Sequence, residues 1–120
     1  MKKILIVDDS NTNVVLLEAI LLNRGYTIRT AMNVREASDM LAQEKPALIL
    51  LDLLMPKISG YQFLDQIKND KRTRDIPVII VSAITDAINI KKTLDMGAVD
   101  YIEKPVDIKE LINKVDKTLN

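Results

Sequence analysis

Residues 4–9 read Ile-Leu-Ile-Val-Asp-Asp, which is a run of four aliphatic side chains followed by two carboxylates. A short, continuous aliphatic run is typical of a strand that is buried on both faces of a parallel sheet. Val78–Val81 is equally continuous, and further apolar runs lie at Leu48–Leu51, at Val99–Ile102 and, more weakly, at Thr27–Ala31. The sequence therefore predicts five short strands.

Segments with helical spacing of apolar residues alternate with these runs. The apolar stripes comprise Val14, Leu17, Ile20 and Leu21; Val34, Ala37 and Leu41; Phe63, Leu64 and Ile67; Ile90 and Leu94; and Ile108, Leu111, Ile112 and Val115. Three of the helices are expected to begin at a polar cap with Glu or Gln three positions later, at Asn33 and Glu36, Ser59 and Gln62, and Asp107 and Glu110. Gly25 and Gly97 are placed to end two others.

Alternation of strands and helices predicts a parallel sheet with helices on both faces and right-handed crossovers. We therefore expect a doubly wound α/β fold with five strands. A chain of 120 residues, 48% of them hydrophobic, is sufficient for one domain over residues 1–120 and needs no disulfide. The sequence shows no internal repeat and no linker.

The composition excludes several classes of site. The chain has no Cys and no His, which excludes disulfide scaffolds, thiolate catalysis, Ser-His-Asp triads and His-ligated metals. Seventeen basic residues balance seventeen acidic ones, so there is no electrostatic footprint for a nucleic-acid backbone. One Phe, three Tyr and no Trp also argue against base stacking. We therefore expect no direct binding to nucleic acid.

The N-terminal apolar run does not indicate a membrane or export segment. It stops at Asp8, which makes it far too short for a signal peptide or a membrane span. The sequence therefore predicts no membrane association, and we expect the protein in the cytoplasm.

Charged and nucleophilic side chains lie at the ends of the predicted strands. In doubly wound sheets, ligands bind outside the carboxyl ends of the strands. Those positions hold Asp8 and Asp9, Asp52, Ser82 and Lys104. Each of them alone would be a turn former, a helix cap or a surface charge. Together they supply three carboxylates, a hydroxyl and an ammonium, which are the parts of a phosphoryl-transfer site.

The chemistry of this cluster follows from its charge. Three close carboxylates repel one another unless a cation lies among them, and an all-oxygen cluster selects a hard cation such as Mg²⁺. The cation would hold one phosphoryl oxygen, Lys104 would neutralise a second, and Ser82 would donate a hydrogen bond to the third. An Asp can accept phosphate as an aspartyl phosphate, and Asp52, at the end of the middle strand, is the best placed nucleophile.

These residues, in this order, resemble the receiver domain of two-component response regulators, a fold similar to that of the chemotaxis response regulator. The resemblance covers the whole chain and predicts a flavodoxin-like sheet of five βα units. It rests on Asp8-Asp9, on Asp52-Leu53-Leu54-Met55-Pro56 with Gly60, on Ser82-Ala83, and on Gly97-Ala98-Val99-Asp100-Tyr101-Ile102-Glu103-Lys104-Pro105.

The resemblance assigns roles within the site. It implies that Asp52 is the phosphoacceptor, that Asp8 and Asp9 hold Mg²⁺ with Asp52, and that the backbone carbonyl of Leu54 is a further metal ligand. Lys104 takes the role of the family's phosphate-binding lysine. The implied phosphodonor is a sensor histidine kinase or a phosphotransfer protein.

The resemblance also implies a switch. Ser82 matches the switch hydroxyl, and Tyr101 matches the switch aromatic, which is expected to turn inward on phosphorylation. The output would be a change in the face made by the fourth helix, fifth strand and fifth helix, which binds a downstream protein or a second receiver. The Lys104–Pro105 peptide bond is expected to be cis, as in the family. Apart from switching, Tyr101 has the simpler interpretation of a half-buried strand aromatic.

Three departures from the family's pattern stand out. Ser59 replaces a frequent Asp, and both residues can cap a helix. Val106 replaces a frequent Phe. Leu54 and Ile84 are both apolar at positions that, in the family, line the path of the hydrolytic water, so they bear on the lifetime of the phosphate.

Other interpretations of the cluster remain open. A haloacid-dehalogenase-like phosphatase would carry a second Asp two residues after its nucleophile, where this chain has Leu54. A nucleotide-binding module would need a glycine-rich or Ser/Thr-rich loop after the first strand, where Asp8 and Asp9 repel phosphate. A receiver-like scaffold that is never phosphorylated would not need the complete acidic set and Lys104. The chain is either a stand-alone receiver or the receiver of a longer regulator.

Overall fold

Five strands alternate with five helices in the computed structural model, which describes residues 2–55 and 57–120. The strands are β1 (Lys3–Val7), β2 (Thr27–Ala31), β3 (Leu48–Leu51), β4 (Val78–Ser82) and β5 (Asp100–Glu103). The helices are α1 (Asn11–Asn23), α2 (Val34–Gln43), α3 (Gly60–Asn69), α4 (Ala87–Asp95) and α5 (Ile108–Leu119). Pro56, which belongs to one of the quoted motifs, lies outside the described residues.

The strands form one parallel sheet in the order β2-β1-β3-β4-β5. The strand order reverses between β1 and β3, which is the position where doubly wound folds bind ligands. The expected doubly wound, flavodoxin-like α/β fold is therefore confirmed.

The core is divided between the two faces of the sheet. Alternate residues of the central strands point to opposite faces, so that Leu5, Val7, Ile49 and Leu51 pack with α2, α3 and α4, while Ile4, Ile6, Leu48 and Leu50 pack with α1 and α5. Every residue of β3 and β4 is buried. Burial on both faces explains why these strands are continuous aliphatic runs in the sequence.

The helices begin and end at the polar and glycine positions that the sequence indicates. The side chains of Asn33, Ser59 and Asp107 each accept the N–H of the residue three positions later. Gly25 and Gly97 follow the ends of α1 and α4 with φ of 91° and 113°, a conformation that favours glycine. None of the helices within the described residues has both the length and the apolar character needed to cross a membrane.

Three expectations about apolar positions are wrong. Val99 precedes β5 and is 51% exposed, although its N–H still donates to the Val78 carbonyl. On α4 the rotation of the helix buries Thr93 and leaves the neighbouring Leu94 40% exposed. Ile108, the first residue of α5, is 51% exposed because the buried face of that helix begins one turn later.

Candidate functional site

Asp8 and Asp52 are brought together by the pairing of β1 with β3. Val7 pairs with Leu51, and the Asp52 N–H donates to the Val7 carbonyl at 3.0 Å. The two aspartates that follow these strands therefore lie side by side where the strand order reverses. Asp9 is the next residue, and carboxylate oxygens of Asp8, Asp9 and Asp52 all lie within 4.8 Å of one another. The structure thus assembles the acidic cluster that the sequence predicts.

The three carboxylates differ in exposure. Asp8 is 1% exposed and Asp52 is 4% exposed, whereas Asp9 is exposed. Backbone N–H groups orient the two buried ones, because Ser10 donates to Asp8 Oδ1 at 2.9 Å and Leu54 donates to Asp52 Oδ1 at 3.2 Å. One carboxylate therefore faces the solvent side of the cluster, and two are held rigidly at its base.

Lys104 reaches the same cluster from the end of β5. Its backbone N–H donates to the Ser82 carbonyl at 2.9 Å, and its peptide bond to Pro105 is cis. The ammonium donates to Asp8 Oδ2 at 2.9 Å and to Asp52 Oδ2 at 3.3 Å. Burial alone would lower the pKa of Lys104, but the hydrogen bond to Asp8 and the charge of Asp52 outweigh it and raise the pKa.

The cluster has too little positive charge for its carboxylates. Burial raises the pKa of Asp52, against the opposing effects of the Leu54 N–H and the Lys104 charge, and the charge of Asp8 raises it further. A single ammonium faces three carboxylates within the described residues. The oxygen-only donor set and the excess negative charge suit a hard divalent cation such as Mg²⁺.

The N-terminus of α3 packs directly against the backbone of Asp52. A Cβ added at Gly60 would lie 2.2 Å from the Asp52 carbonyl oxygen and 2.5 Å from Leu53 Cα, so only glycine fits there. The Gly60 N–H donates to the Leu53 carbonyl at 3.0 Å. Gly60 therefore fixes the position of the loop that carries Asp52. The side chain of Leu54, in this loop, is 54% exposed.

Ser82 and Tyr101 lie together behind the cluster. Ser82, at the end of β4, is fully buried, and its hydroxyl accepts the Ile84 N–H at 3.3 Å. Tyr101 is 6% exposed, and its hydroxyl donates to the Ile84 carbonyl at 2.6 Å. Burial raises the pKa of Tyr101, while the nearby Ser82 hydroxyl lowers it. Tyr101 is expected to turn inward on phosphorylation, and in this structure its side chain is already buried in the inward position.

Two residues near the site were not predicted from the sequence. Lys57, in the loop between Asp52 and α3, has a φ of 67° although it is not glycine. Tyr61 on α3 donates to Asn89 on α4, which is 28 residues away. No sequence signal marks either one, because a positive φ usually coincides with glycine and a distant side-chain pair has no characteristic spacing.

The comparison with known proteins agrees with this geometry. The response regulator receiver domain model matches residues 4–116. PilH of Pseudomonas aeruginosa is 38% identical over 122 residues, which cover 99% of this chain and 98% of PilH. The response regulator PleD of Caulobacter vibrioides is 39% identical over 113 residues, which cover 94% of this chain and 25% of PleD. The chain thus spans the whole of one relative but only a quarter of another.

Solved structures show the same likeness. The signal receiver domain of a histidine kinase from Syntrophus aciditrophicus matches with a TM-score of 0.90 at 36% identity, covering 99% of this chain and 90% of that one. Chemotaxis protein CheY4 of Vibrio cholerae matches with a TM-score of 0.92 over 99% of both chains, and at 24% identity this is a likeness of fold. The family match over nearly the whole chain and the similarity to PilH together show that the chain belongs to the response regulator receiver domains of two-component systems.

Proposed function

We propose that this receiver domain accepts a phosphoryl group on Asp52 in a Mg²⁺-dependent reaction. The observation that carries the proposal is the convergence of Asp8, Asp9 and Asp52 within 4.8 Å, with Lys104 bonded to the two buried members. The phosphodonor is a sensor histidine kinase or a phosphotransfer protein. The proposed unit is the single domain over residues 1–120, and it signals rather than turning over a substrate.

Each residue of the cluster has a distinct part in the transfer. An Asp52 carboxylate oxygen forms a bond to phosphorus while the bond from phosphorus to the donor's imidazole nitrogen breaks, and the nitrogen keeps the electron pair. Lys104 neutralises one phosphoryl oxygen and Ser82 donates a hydrogen bond to another. Asp8, Asp9, Asp52 and the Leu54 carbonyl would hold Mg²⁺, which supplies positive charge for the remaining oxygen.

The output is proposed to pass through the face of α4, β5 and α5. Ile88 on α4 is 81% exposed, and the same helix carries charges of both signs, including the Lys91–Asp95 pair at 3.0 Å. Mixed charge around an exposed apolar residue suits a protein partner or a second receiver. The Ser82 hydroxyl and Tyr101 connect this face to the site, since both contact Ile84.

Intact mass measured after incubation with acetyl phosphate and Mg²⁺ tests the phosphoacceptor. The wild type is expected to gain one phosphoryl group, and Asp52→Asn is expected to gain none. Asp39→Asn is the matched control, since Asp39 is an exposed aspartate on α2. Equal labelling of Asp52→Asn and the control would show that the phosphoacceptor is a different residue. Removal of Mg²⁺ with a chelator should abolish labelling of the wild type.

Asp9→Ala tests the metal site with little risk to the fold, because Asp9 is exposed whereas Asp8 is buried. Loss of one carboxylate should weaken Mg²⁺ binding by about tenfold or more, as measured by calorimetric titration. The circular dichroism spectrum and the melting temperature without metal should be retained. An unchanged titration curve would contradict the metal site.

A further inference from the structure

Two tyrosine hydroxyls from different elements hold the segment 84–89, which runs from the loop after β4 into the first turn of α4. Tyr101, on β5, donates to the Ile84 carbonyl at 2.6 Å. Tyr61, in the first turn of α3, donates to the Asn89 side-chain oxygen at 3.0 Å. The two ends of the segment are therefore each held by one tyrosine.

Asn89 passes the contact with Tyr61 on to the start of α4. Its side-chain amide donates to both carboxylate oxygens of Asp86 at 2.9 Å, and Asp86 is the N-cap of α4. The Lys92 ammonium also lies 4.7 Å from the centre of the Tyr61 ring, at cation–π distance. Tyr61 thus contacts the first two turns of α4, and through Asn89 it is connected to the N-cap of this helix.

Tyr61 is also tied to the phosphoacceptor loop through its neighbour in the chain. Gly60 packs against the backbone of Asp52 without room for a Cβ, and its N–H donates to the Leu53 carbonyl. The first turn of α3 therefore touches the Asp52 loop on one side and α4 on the other. This connection is separate from the one that runs through Ser82.

We propose that the hydrogen bond between Tyr61 and Asn89 is a latch that favours the inward position of Tyr101. Ile84 and Asn89 belong to one short segment, so holding Asn89 against α3 keeps the Ile84 carbonyl where the Tyr101 hydroxyl can reach it. Tyr61 is then a positioning residue for the switch. The effect of the latch on ligand binding at Asp52 rests on the proposed function, whereas its effect on Tyr101 does not.

NMR with ring-labelled tyrosine tests the latch on the protein alone. The chain has three tyrosines, and each signal is assigned by its own Phe variant. Tyr61→Phe keeps the ring but removes the hydroxyl, and the Tyr101 signal is expected to shift toward that of a solvent-exposed tyrosine. Asn89→Ala should cause the same shift.

Tyr26→Phe is the matched control, because the Tyr26 hydroxyl donates to Asp116 on α5 and not to α4. It removes one tyrosine hydrogen bond, as Tyr61→Phe does, but should leave the Tyr101 signal in place. If Tyr61 had a merely structural role, Tyr61→Phe and Tyr26→Phe would both lower the melting temperature, and neither would shift the Tyr101 signal. An unmoved Tyr101 signal in Tyr61→Phe would overturn the latch.

Binding of beryllofluoride in the presence of Mg²⁺ tests the coupling to Asp52. If the phosphoryl mimic binds the inward state of Tyr101, loss of the latch must weaken mimic binding by the factor by which the inward population falls. The half-saturating concentration is expected to rise by up to about fivefold in Tyr61→Phe, the size of one neutral hydrogen bond, and to stay unchanged in Tyr26→Phe. Equal binding by Tyr61→Phe and the wild type would overturn the coupling. A wild type that binds no mimic would contradict the proposed function, while the tyrosine signals would still test the latch.

Discussion

Lys57 shows how the loop that follows Asp52 is constrained at the level of one residue. Its φ of 67° lies in the left-handed region, which costs a residue other than glycine about 1–2 kcal/mol. The loop must end at Gly60, which lies so close to the Asp52 backbone that a Cβ would not fit between them. This close contact restricts the backbone before α3, and Lys57 adopts the left-handed conformation there.

Lys57→Gly is expected to stabilise the protein. Relief of the strained backbone should exceed the entropy that glycine gains in the unfolded chain, which leaves a net increase of up to about 1 kcal/mol in the free energy of unfolding. Urea unfolding measures the difference. The control is Lys45→Gly in the exposed loop after α2, where φ is not positive and the same change should destabilise slightly. Destabilisation by both substitutions would show that Lys57 is not strained.

Leu54 and Ile84 are the residues for which we predict an effect on phosphate lifetime. Leu54 is 54% exposed beside Asp52, and Ile84 lies half-buried at the end of β4. Apolar side chains cannot orient an attacking water, and hydrolysis requires the water in line with the bond that breaks. We therefore expect a longer-lived phosphoprotein than one with polar residues at both positions.

Replacing Leu54 and Ile84 together by Asn and Glu should speed loss of the phosphoryl group by about tenfold, which is less than the roughly 100-fold or more of a dedicated general base because the new groups only orient the water. Intact mass followed over time after removal of the donor measures the decay. Leu22→Asn, at an apolar residue of α1 that is 52% exposed and remote from Asp52, should leave the decay unchanged. An identical or slower decay in the double variant would contradict the role of these residues.

At the scale of elements, α5 is tied to the rest of the molecule by polar contacts from two residues of its C-terminal half, Lys114 and Asp116. Near its C-terminal end, Asp116 accepts hydrogen bonds from Tyr26 and from Arg24, the latter at 2.6 Å. Nearer its start, the Lys114 ammonium donates to the Tyr101 carbonyl at 2.7 Å, on the strand at the edge of the sheet. The second contact occupies a backbone carbonyl that would otherwise be open to pairing with another chain.

The tie between Tyr26 and Asp116 predicts a loss of stability at high pH. Burial raises the pKa of Tyr26 from 10.0 to about 12, and the hydrogen bond to Asp116 raises it in the same direction. Because the folded-state pKa lies above the unfolded one, the stabilisation is complete below pH 10 and is lost as the pH rises toward about 12.

Thermal unfolding of the wild type and Tyr26→Phe across this pH range measures the effect. The wild type should be more stable by about 1–2 kcal/mol at neutral pH, and its advantage should shrink between about pH 10 and pH 12. The comparison removes the general effect of lysine deprotonation, which both proteins share. An advantage that stays constant to the highest pH would show that Tyr26 titrates as an ordinary tyrosine.

Helices and strands were predictable from the sequence where neighbouring residues in the chain determine them. Ser59 and Asp107 cap helices through bonds to residues three positions away, and the β4 run is aliphatic because both of its faces are buried. The buried face of α4 was not predictable, because this helix has few apolar residues and tertiary packing buries Thr93 rather than Leu94. For the same reason the inward position of Tyr101 and its bond to Ile84 depend on packing that no spacing in the sequence records.

At the scale of the whole molecule, the parallel sheet explains why the site could be located from the sequence. All strands end at the same edge, so residues that are far apart in the chain, such as Asp8, Asp52 and Lys104, must meet there. Which of the three carboxylates are buried could not be predicted in the same way. Asp8 and Asp52 are buried and Asp9 is exposed, a difference that depends on how the loops close over the strand ends.

Concentration of negative charge at this edge should reduce the stability of the fold. The pKa of Asp52 is raised mainly by burial, which means that its ionised form is less favourable in the folded state than in the unfolded one. Stabilisation from this group is therefore present below its unfolded pKa and is lost as the pH rises through the folded pKa, so at neutral pH the charge destabilises the protein. A cost in stability of this kind is expected where a charged cluster is kept for a function such as the proposed one.

Asp52→Asn should therefore melt at a higher temperature than the wild type when a chelator has removed divalent cations. Lys104→Met should have the opposite effect, since it leaves two buried carboxylates without their ammonium and costs about 3–5 kcal/mol.

Added Mg²⁺ at about ten times its dissociation constant should stabilise the wild type by about 1.4 kcal/mol, and Asp52→Asn by less because it has lost a ligand. Calorimetric melting of the three proteins with and without Mg²⁺ measures all of these differences. If Asp52→Asn without metal is no more stable than the wild type, the charge of Asp52 does not oppose folding, and the deficit of positive charge at the site is already balanced by the described residues.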